Sequence, residues 1–195
     1  MTMSTRSREP RNTAPLAAAG GVLWLALGAM EASTTTLIAD SLDTTLDRVF
    51  ILGFVVALIA TAATVMNLRA RIARRAGRIA ARSTAIGGAL VALTVTLDAA
   101  VSGTALFEVL ATVATITFWL SGIAFAVALA RTDSLPSALG WMLAVGMLLF
   151  APLMEVGGSA ALGLALLAIS GWTMTRPALQ PPMAASRSAS SRGNA

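Results

Sequence analysis

Residues 49–82 read VFILGFVVALIATAATVMNLRARIARRAGRIAAR, and this stretch decides the fold. Its first part, 49–67, holds no charged residue, whereas 69–82 holds six arginines. A helix needs about 20 mainly apolar residues to cross a hydrocarbon core of roughly 30 Å. Segment 49–67 therefore reads as a membrane span, and the arginines after it as its anchor on one side. Five further stretches meet the same requirement: 16–39, 84–106, 109–130, 135–154 and 158–174. Uninterrupted apolar runs of this length exclude the strands of a membrane barrel, which alternate and are about half as long. The expected fold is an all-α bundle of six transmembrane helices within 15–175. The tails, 1–14 and 176–195, are rich in Ser, Arg, Pro and Ala, bury little, and are expected to be disordered. The first apolar stretch is longer than the core of a secretory signal, and other spans follow it, so it reads as a retained helix.

Composition supports lipid as the main solvent. Of 195 residues 56% are hydrophobic and only 12% charged, against about a quarter charged in soluble domains; the mean hydropathy is +0.79. The chain contains no Cys, His, Lys or Tyr. That excludes disulfides, thiol nucleophiles, imidazole bases and ligands, and lysine Schiff bases. A serine protease would need a His or Lys base, a Walker phosphate loop needs Lys, and an intramembrane aspartyl site needs a second deep aspartate beside Asp98. The expectation is a protein that is not an enzyme and has no cofactor and no metal.

Arginine placement sets the expected orientation. Six spans put both tails on one side, together with the loops after the second and fourth spans. That side collects Arg6, Arg8, Arg11, Arg69, Arg71, Arg74, Arg75, Arg78, Arg82, Arg131, Arg176, Arg187 and Arg192, leaving only Arg48 opposite. By the positive-inside rule both termini are expected in the cytoplasm and the bundle in the cell membrane. Nucleic acid is not an expected partner, because topology accounts for the arginines and there is no folded basic domain.

Carboxylates within the spans are the candidate site. Glu31 and Asp98 fall about 21–23 Å above the cytoplasmic ends of their helices at 1.5 Å per residue. Glu155 and Glu108 stand near the outer surface, and Arg48 is the basic residue that shares it. Thr34, Thr35, Thr36, Thr94, Thr96, Ser102 and Thr104 surround the two deep carboxylates. An ionised carboxylate in hydrocarbon costs a few kcal/mol, so such groups face the bundle interior or water. One reading is an outward-facing pocket of Glu31, Asp98, Glu155, Glu108 and Arg48 that takes a proton, a hard cation or a small cationic substrate. A second keeps Glu31 and Asp98 protonated or paired with Arg48 as fastenings between helices, and a third has the outer ends of the helices simply reaching the headgroups.

Other features have a functional and a structural reading side by side. Segment 68–83 forms a basic amphipathic loop, in which Arg71, Arg74, Arg75, Arg78 and Arg82 fall within one arc of about 100° on a helix. Ile72, Ala76, Ile79 and Ala80 lie opposite. It would either hold anionic lipid headgroups or a phosphate, or simply anchor the flanking spans. Trp24 and Trp119 lie near the expected midplane and need partners for their indole N–H, with Thr112, Thr115 and Thr117 as candidates. Trp172 is placed at the interface. Pro152 is expected to kink the outer end of the fifth span, and small residues such as Gly157, Ala161 and Ala165 to allow close helix approach.

Residues 131–146, RTDSLPSALGWMLAVG, resemble the loop and helix opening of many small, uncharacterised bacterial polytopic membrane proteins, through Ser134, Pro136, Leu139, Gly140 and Trp141. The resemblance covers under a tenth of the chain, implies a polytopic helical fold and carries no activity with it. Exclusive use of Arg over Lys points to a GC-rich bacterial genome. Two functions remain expected: a small transporter or cation- or proton-responsive protein built on the carboxylates, or a non-catalytic accessory subunit of a membrane complex, with a protein partner or a second copy.

Overall fold

A computed structural model of the chain describes residues 13–33, 45–101, 105–133, 135–153 and 156–175, and among these it contains six α-helices and no strand. They are α1 (Thr13–Ser33), α2 (Thr45–Leu68), α3 (Arg75–Val101), α4 (Ala105–Ala130), α5 (Ser137–Phe150) and α6 (Gly158–Thr175). Each is rich in Ala and Leu, residues that lose little on entering a helix, and a helix satisfies its own backbone groups where no water is at hand. Five of the six are long and apolar enough to cross a membrane.

The exception is α5, whose 14 residues span about 21 Å, against the 20-residue stretch expected from 135–154. Prolines set both limits. Pro136 stands at the N-cap, where its fixed φ suits a helix start. Pro152 has no N–H for the carbonyl of Leu148, and the helix ends at Phe150 in a turn over 151–153. Within that turn the N–H of Leu153 still reaches the carbonyl of Leu149 at 3.1 Å. The proline thus terminates the helix instead of kinking it.

Successive helices pack antiparallel, and α6 packs against α1, so the six close into a ring. Even number makes this closure antiparallel throughout. The ring is filled. Trp24 of α1 meets Phe54 of α2 edge-on at 5.4 Å and Phe150 of α5 at 5.0 Å, and Phe118 of α4 meets Phe150 at 6.1 Å. Trp24, Phe118, Phe125, Met147 and Leu162 are fully buried. Outward faces carry Leu52, Ile59, Ile86, Val113, Leu120 and Leu164, each more than half exposed. A belt of that size is a liability in water and the natural outer surface of a bundle in lipid.

Glycines lie where the helices come closest. A Cβ on Gly28 would stand 2.6 Å from the backbone nitrogen of Ala160, and one on Gly87 would stand 2.7 Å from that of Phe118. The α1–α6 seam is the most glycine-dependent, with Gly21 and Gly28 facing Gly163 and Ala160. The sequence expectation named Gly157, Ala161 and Ala165; of these Gly157 does face α1, against the carbonyl of Gly28.

Segment 68–83 is not one helix. A short 3₁₀ turn, Arg69–Arg71, follows α2, Ile72 is extended, and α3 starts at Arg75. This break changes the expected apolar side: Ile72 is buried, but Ala76 and Ile79 are exposed. The inward face of α3 begins instead with Gly77, Ala81 and Thr84. With 27 residues, α3 measures about 40 Å, roughly 10 Å more than the hydrocarbon core. The excess matches its arginine-bearing first two turns.

Candidate functional site

Among the described candidates, Glu31 is the one that the fold draws into its interior: it is 5% exposed, near the end of α1. Gly28, one turn earlier on the same face, lets α6 approach so closely that the start of α6 lies against Glu31. The hydroxyl of Ser159 donates to Oε1 of Glu31 at 2.6 Å, and the backbone N–H of Ser159 donates to Oε2 at 3.4 Å. Ser159 is the second residue of α6, so its N–H has no acceptor within the helix. Gly157, just before α6, adopts a φ of 93°, a left-handed conformation that glycine reaches without strain. Glu31 therefore acts as a helix cap supplied from another helix, with its carboxyl oxygens at the start of α6. At the opposite end of the seam Ser170 Oγ donates to the carbonyl of Ala14 at 2.9 Å.

The other described candidates, Asp98, Glu108 and Arg48, are not gathered around Glu31. Asp98 is exposed near the end of α3, and the ring places α2 between α3 and α1. Glu108 is exposed in the first turn of α4 and Arg48 is exposed in the first turn of α2. Glu155 lies outside the described residues, as do Thr34, Thr35, Thr36, Ser102, Thr104 and the tails 1–12 and 176–195, whereas Thr13 and Ala14, expected in the disordered tail, are the first residues of α1. The threonines next to Asp98 are occupied on their own helix: Thr94 donates to the carbonyl of Leu90 at 3.0 Å and Thr96 to that of Ala92 at 2.7 Å. Such back-bonding lets a hydroxyl sit in an apolar helix without lining a site.

Both inner tryptophans have structural partners, and neither partner is on α4 as expected. Trp24 Nε1 donates to Thr61 Oγ1 of α2 at 2.8 Å, and the Thr61 hydroxyl donates in turn to the carbonyl of Ala57. Trp119 Nε1 donates to the carbonyl of Met147 on α5 at 2.7 Å. The ring order brings α2 and α5 within reach of these indoles, while Thr112 and Thr117 donate to carbonyls on their own helix.

The second candidate region lies where α2 meets α3. Arg74, Arg75, Arg78 and Arg82 are exposed, and the guanidinium of Arg71 rests over the Trp172 ring at 5.5 Å, a cation–π contact. Nε of Arg69 is buried and has no hydrogen-bond acceptor among the described residues. Among the described acidic residues, Asp133 shares this end of the bundle and is exposed.

Sequence reasoning missed Ser159, Arg69 and the Arg71–Trp172 contact. A signal existed for the first: Gly157, Gly158 and Ser159 in succession mark a helix start that takes a polar cap. For the other two the charge pattern identifies a basic face but not which guanidinium is buried.

Comparison with family models, with curated proteins and with solved structures finds no match. The all-helical fold and the apolar belt are compatible with a multi-pass membrane protein.

Proposed function

We propose that this chain is a multi-pass protein of the cell membrane, with both termini in the cytoplasm, that works as a non-catalytic accessory subunit beside another membrane protein. The observation that supports this reading best is the filled centre of the ring, where Trp24, Phe54, Phe118 and Phe150 occupy the space that a solute path would need. Glu31 then serves as the fastening between α1 and α6. Headgroups of anionic lipid gather at Arg71, Arg74, Arg75, Arg78 and Arg82, each arginine adding about 1 kcal/mol of attraction near the surface. No cofactor enters this reading.

A second reading rests on the burial of Glu31: a small transporter or proton- or cation-responsive protein, in which Glu31 exchanges Ser159 for a proton or cation, with Asp98, Glu108, Glu155 and Arg48 at the outer mouth. Reconstituted liposomes separate the two. The accessory reading expects proton, sodium and potassium flux no greater than in empty vesicles, and a co-purifying partner retained by Glu31→Gln. Flux above that background, abolished by Glu31→Gln, would overturn it in favour of transport.

A further inference from the structure

We propose that the notch left beside α4 where α5 stops short holds one phospholipid of the outer leaflet, with its ammonium headgroup at Glu108 and its chains over the end of α5. The inference goes beyond the accessory reading and rests on it only for the membrane that supplies the lipid.

The register of α5 on α4 leaves the notch. Gly140 packs on Ala130, Gly122 on Met147, and Phe150 on Phe118 at 6.1 Å. Helix α5 ends at that last contact, and α6 starts at the same level, with Gly158 against Leu149 and Leu153. Helix α4 runs on from Phe118 to Ala105, about 20 Å farther. The side of α4 that α5 covers lower down is open there. At 100° per residue Thr115, Thr112 and Glu108 lie within about 40° of Trp119, whose indole donates to Met147 of α5. Glu108 and Thr112 are exposed and Thr115 is half-buried. Val109, Val113, Ile116 and Leu120, all exposed, form the neighbouring stripe that faces lipid.

Depth selects the occupant. With Ala130, next to Arg131, at the inner boundary, Phe118 lies about 18 Å up and Glu108 about 33 Å, against roughly 30 Å of hydrocarbon. The notch is therefore confined to the outer leaflet, and α5 closes it below. A helix that crosses the membrane would run into α5, whereas the chains of an outer-leaflet lipid end at that depth. Chemistry selects the headgroup. The Thr112 hydroxyl donates to the carbonyl of Glu108, but that of Thr115 has no partner among the described residues, so a lipid ester carbonyl can accept from it. The Glu108 carboxylate offers acceptors only. Among the described residues this end of the bundle also carries Asp47 and Asp98, with Arg48 as its one cation. Such a field draws in an ammonium group and repels an anionic headgroup. Ethanolamine brings an ammonium with three N–H donors, as lysine does, and choline brings none.

Lipid-free full-length protein in neutral detergent is titrated with short-chain phosphatidylethanolamine, phosphatidylcholine or dodecylammonium and read by native mass spectrometry and thermal unfolding. One saturable phosphatidylethanolamine adduct per chain is expected, bound more tightly than phosphatidylcholine. Glu108→Gln should weaken it about two- to fivefold, the range of an exposed ion pair, and remove the preference over phosphatidylcholine. Thr112→Trp fills the notch and should weaken the adduct about tenfold or more. Val113→Trp, on the stripe that faces lipid, should leave it unchanged. Both positions are exposed, so both variants keep the fold, which their unfolding midpoints check. Equal effects of the two tryptophans overturn the proposal, as does phosphatidylcholine bound as tightly as phosphatidylethanolamine by the parent chain. Saturation by dodecylammonium at lower concentration than by phosphatidylethanolamine overturns the assignment to a lipid. Extraction of the cellular protein by alkaline carbonate would refute the membrane reading separately, since the detergent titration does not depend on it.

Discussion

Glu31 shows how one residue joins two helices by answering two separate needs. Its carboxylate needs donors inside the bundle, and the second residue of α6 needs an acceptor; Ser159 meets the first and receives the second. Glu31→Ala leaves the Ser159 hydroxyl and amide without that acceptor, at about 1–3 kcal/mol for an unsatisfied buried group. Glu31→Gln keeps one carbonyl oxygen for the hydroxyl and turns an N–H₂ toward the amide, so its cost should be smaller. Thermal unfolding in detergent of both variants and of Ser159→Ala checks this. A Glu31→Ala, Ser159→Ala double variant should lose less than the sum of the singles, because the two groups act as a pair. Full additivity would mean that the contact carries little.

At the scale of elements, the seams between helices are set by what is missing from the side chains. The α1–α6 seam depends on Gly28, where even a Cβ meets the Ala160 backbone at 2.6 Å. Gly28→Leu must push the two helices apart and pull Glu31 from Ser159, so a loss of about 3 kcal/mol or more is expected from overpacking and the lost cap together. Gly171, also on α6, has nothing within 4 Å of its added Cβ. Gly171→Ala should therefore be neutral or stabilising by up to about 1 kcal/mol, the ordinary helix preference of Ala over Gly. Equal melting shifts for the two substitutions would contradict the seam as described. The six apolar elements were legible as helices because hydropathy over about twenty residues is a local property. The end of α5 was harder to read: apolar character continues past Phe150, and only the lost hydrogen bond at Pro152 marks the stop. Segment 68–83 misled for a related reason, since its helical charge pattern runs on across a backbone break at Ile72.

For the molecule as a whole, orientation and burial make one joint prediction, and the absence of Cys makes it simple to measure. Single cysteines at Asp43, Ser186, Glu31 and Asp98 are labelled in intact cells with a membrane-impermeant thiol reagent. The positive-inside reading expects Asp43→Cys to react and Ser186→Cys to remain unlabelled. Exposed Asp98 at the end of α3 should react and buried Glu31 should not. Reaction at Ser186 but not at Asp43 inverts the topology. Reaction at Glu31 would mean that water reaches the α1–α6 seam and would strengthen the transport reading. The candidate site was legible in part: a charge in an apolar helix marks Glu31 and Asp98 alike, and only the packing leaves the first buried and the second exposed. Asp98 has a similar expected depth, and depth alone placed the two together; the ring order separates them.

The sequence by itself determined the apolar character of the chain, the six helices found among the described residues and the side-chain types that its composition leaves out. Those follow from composition and from apolar runs, which need no knowledge of what packs against them. Tertiary structure decided every partnership: Glu31 with Ser159 at a separation of 128 residues, Trp24 with Thr61 at 37, and the choice of which glycines face a neighbouring backbone. Partners are set by ring order and by the rotation and register of each helix about its axis. In a bundle that is apolar on its inside and its outside alike, hydropathy marks no preferred face, so the packing itself must select it.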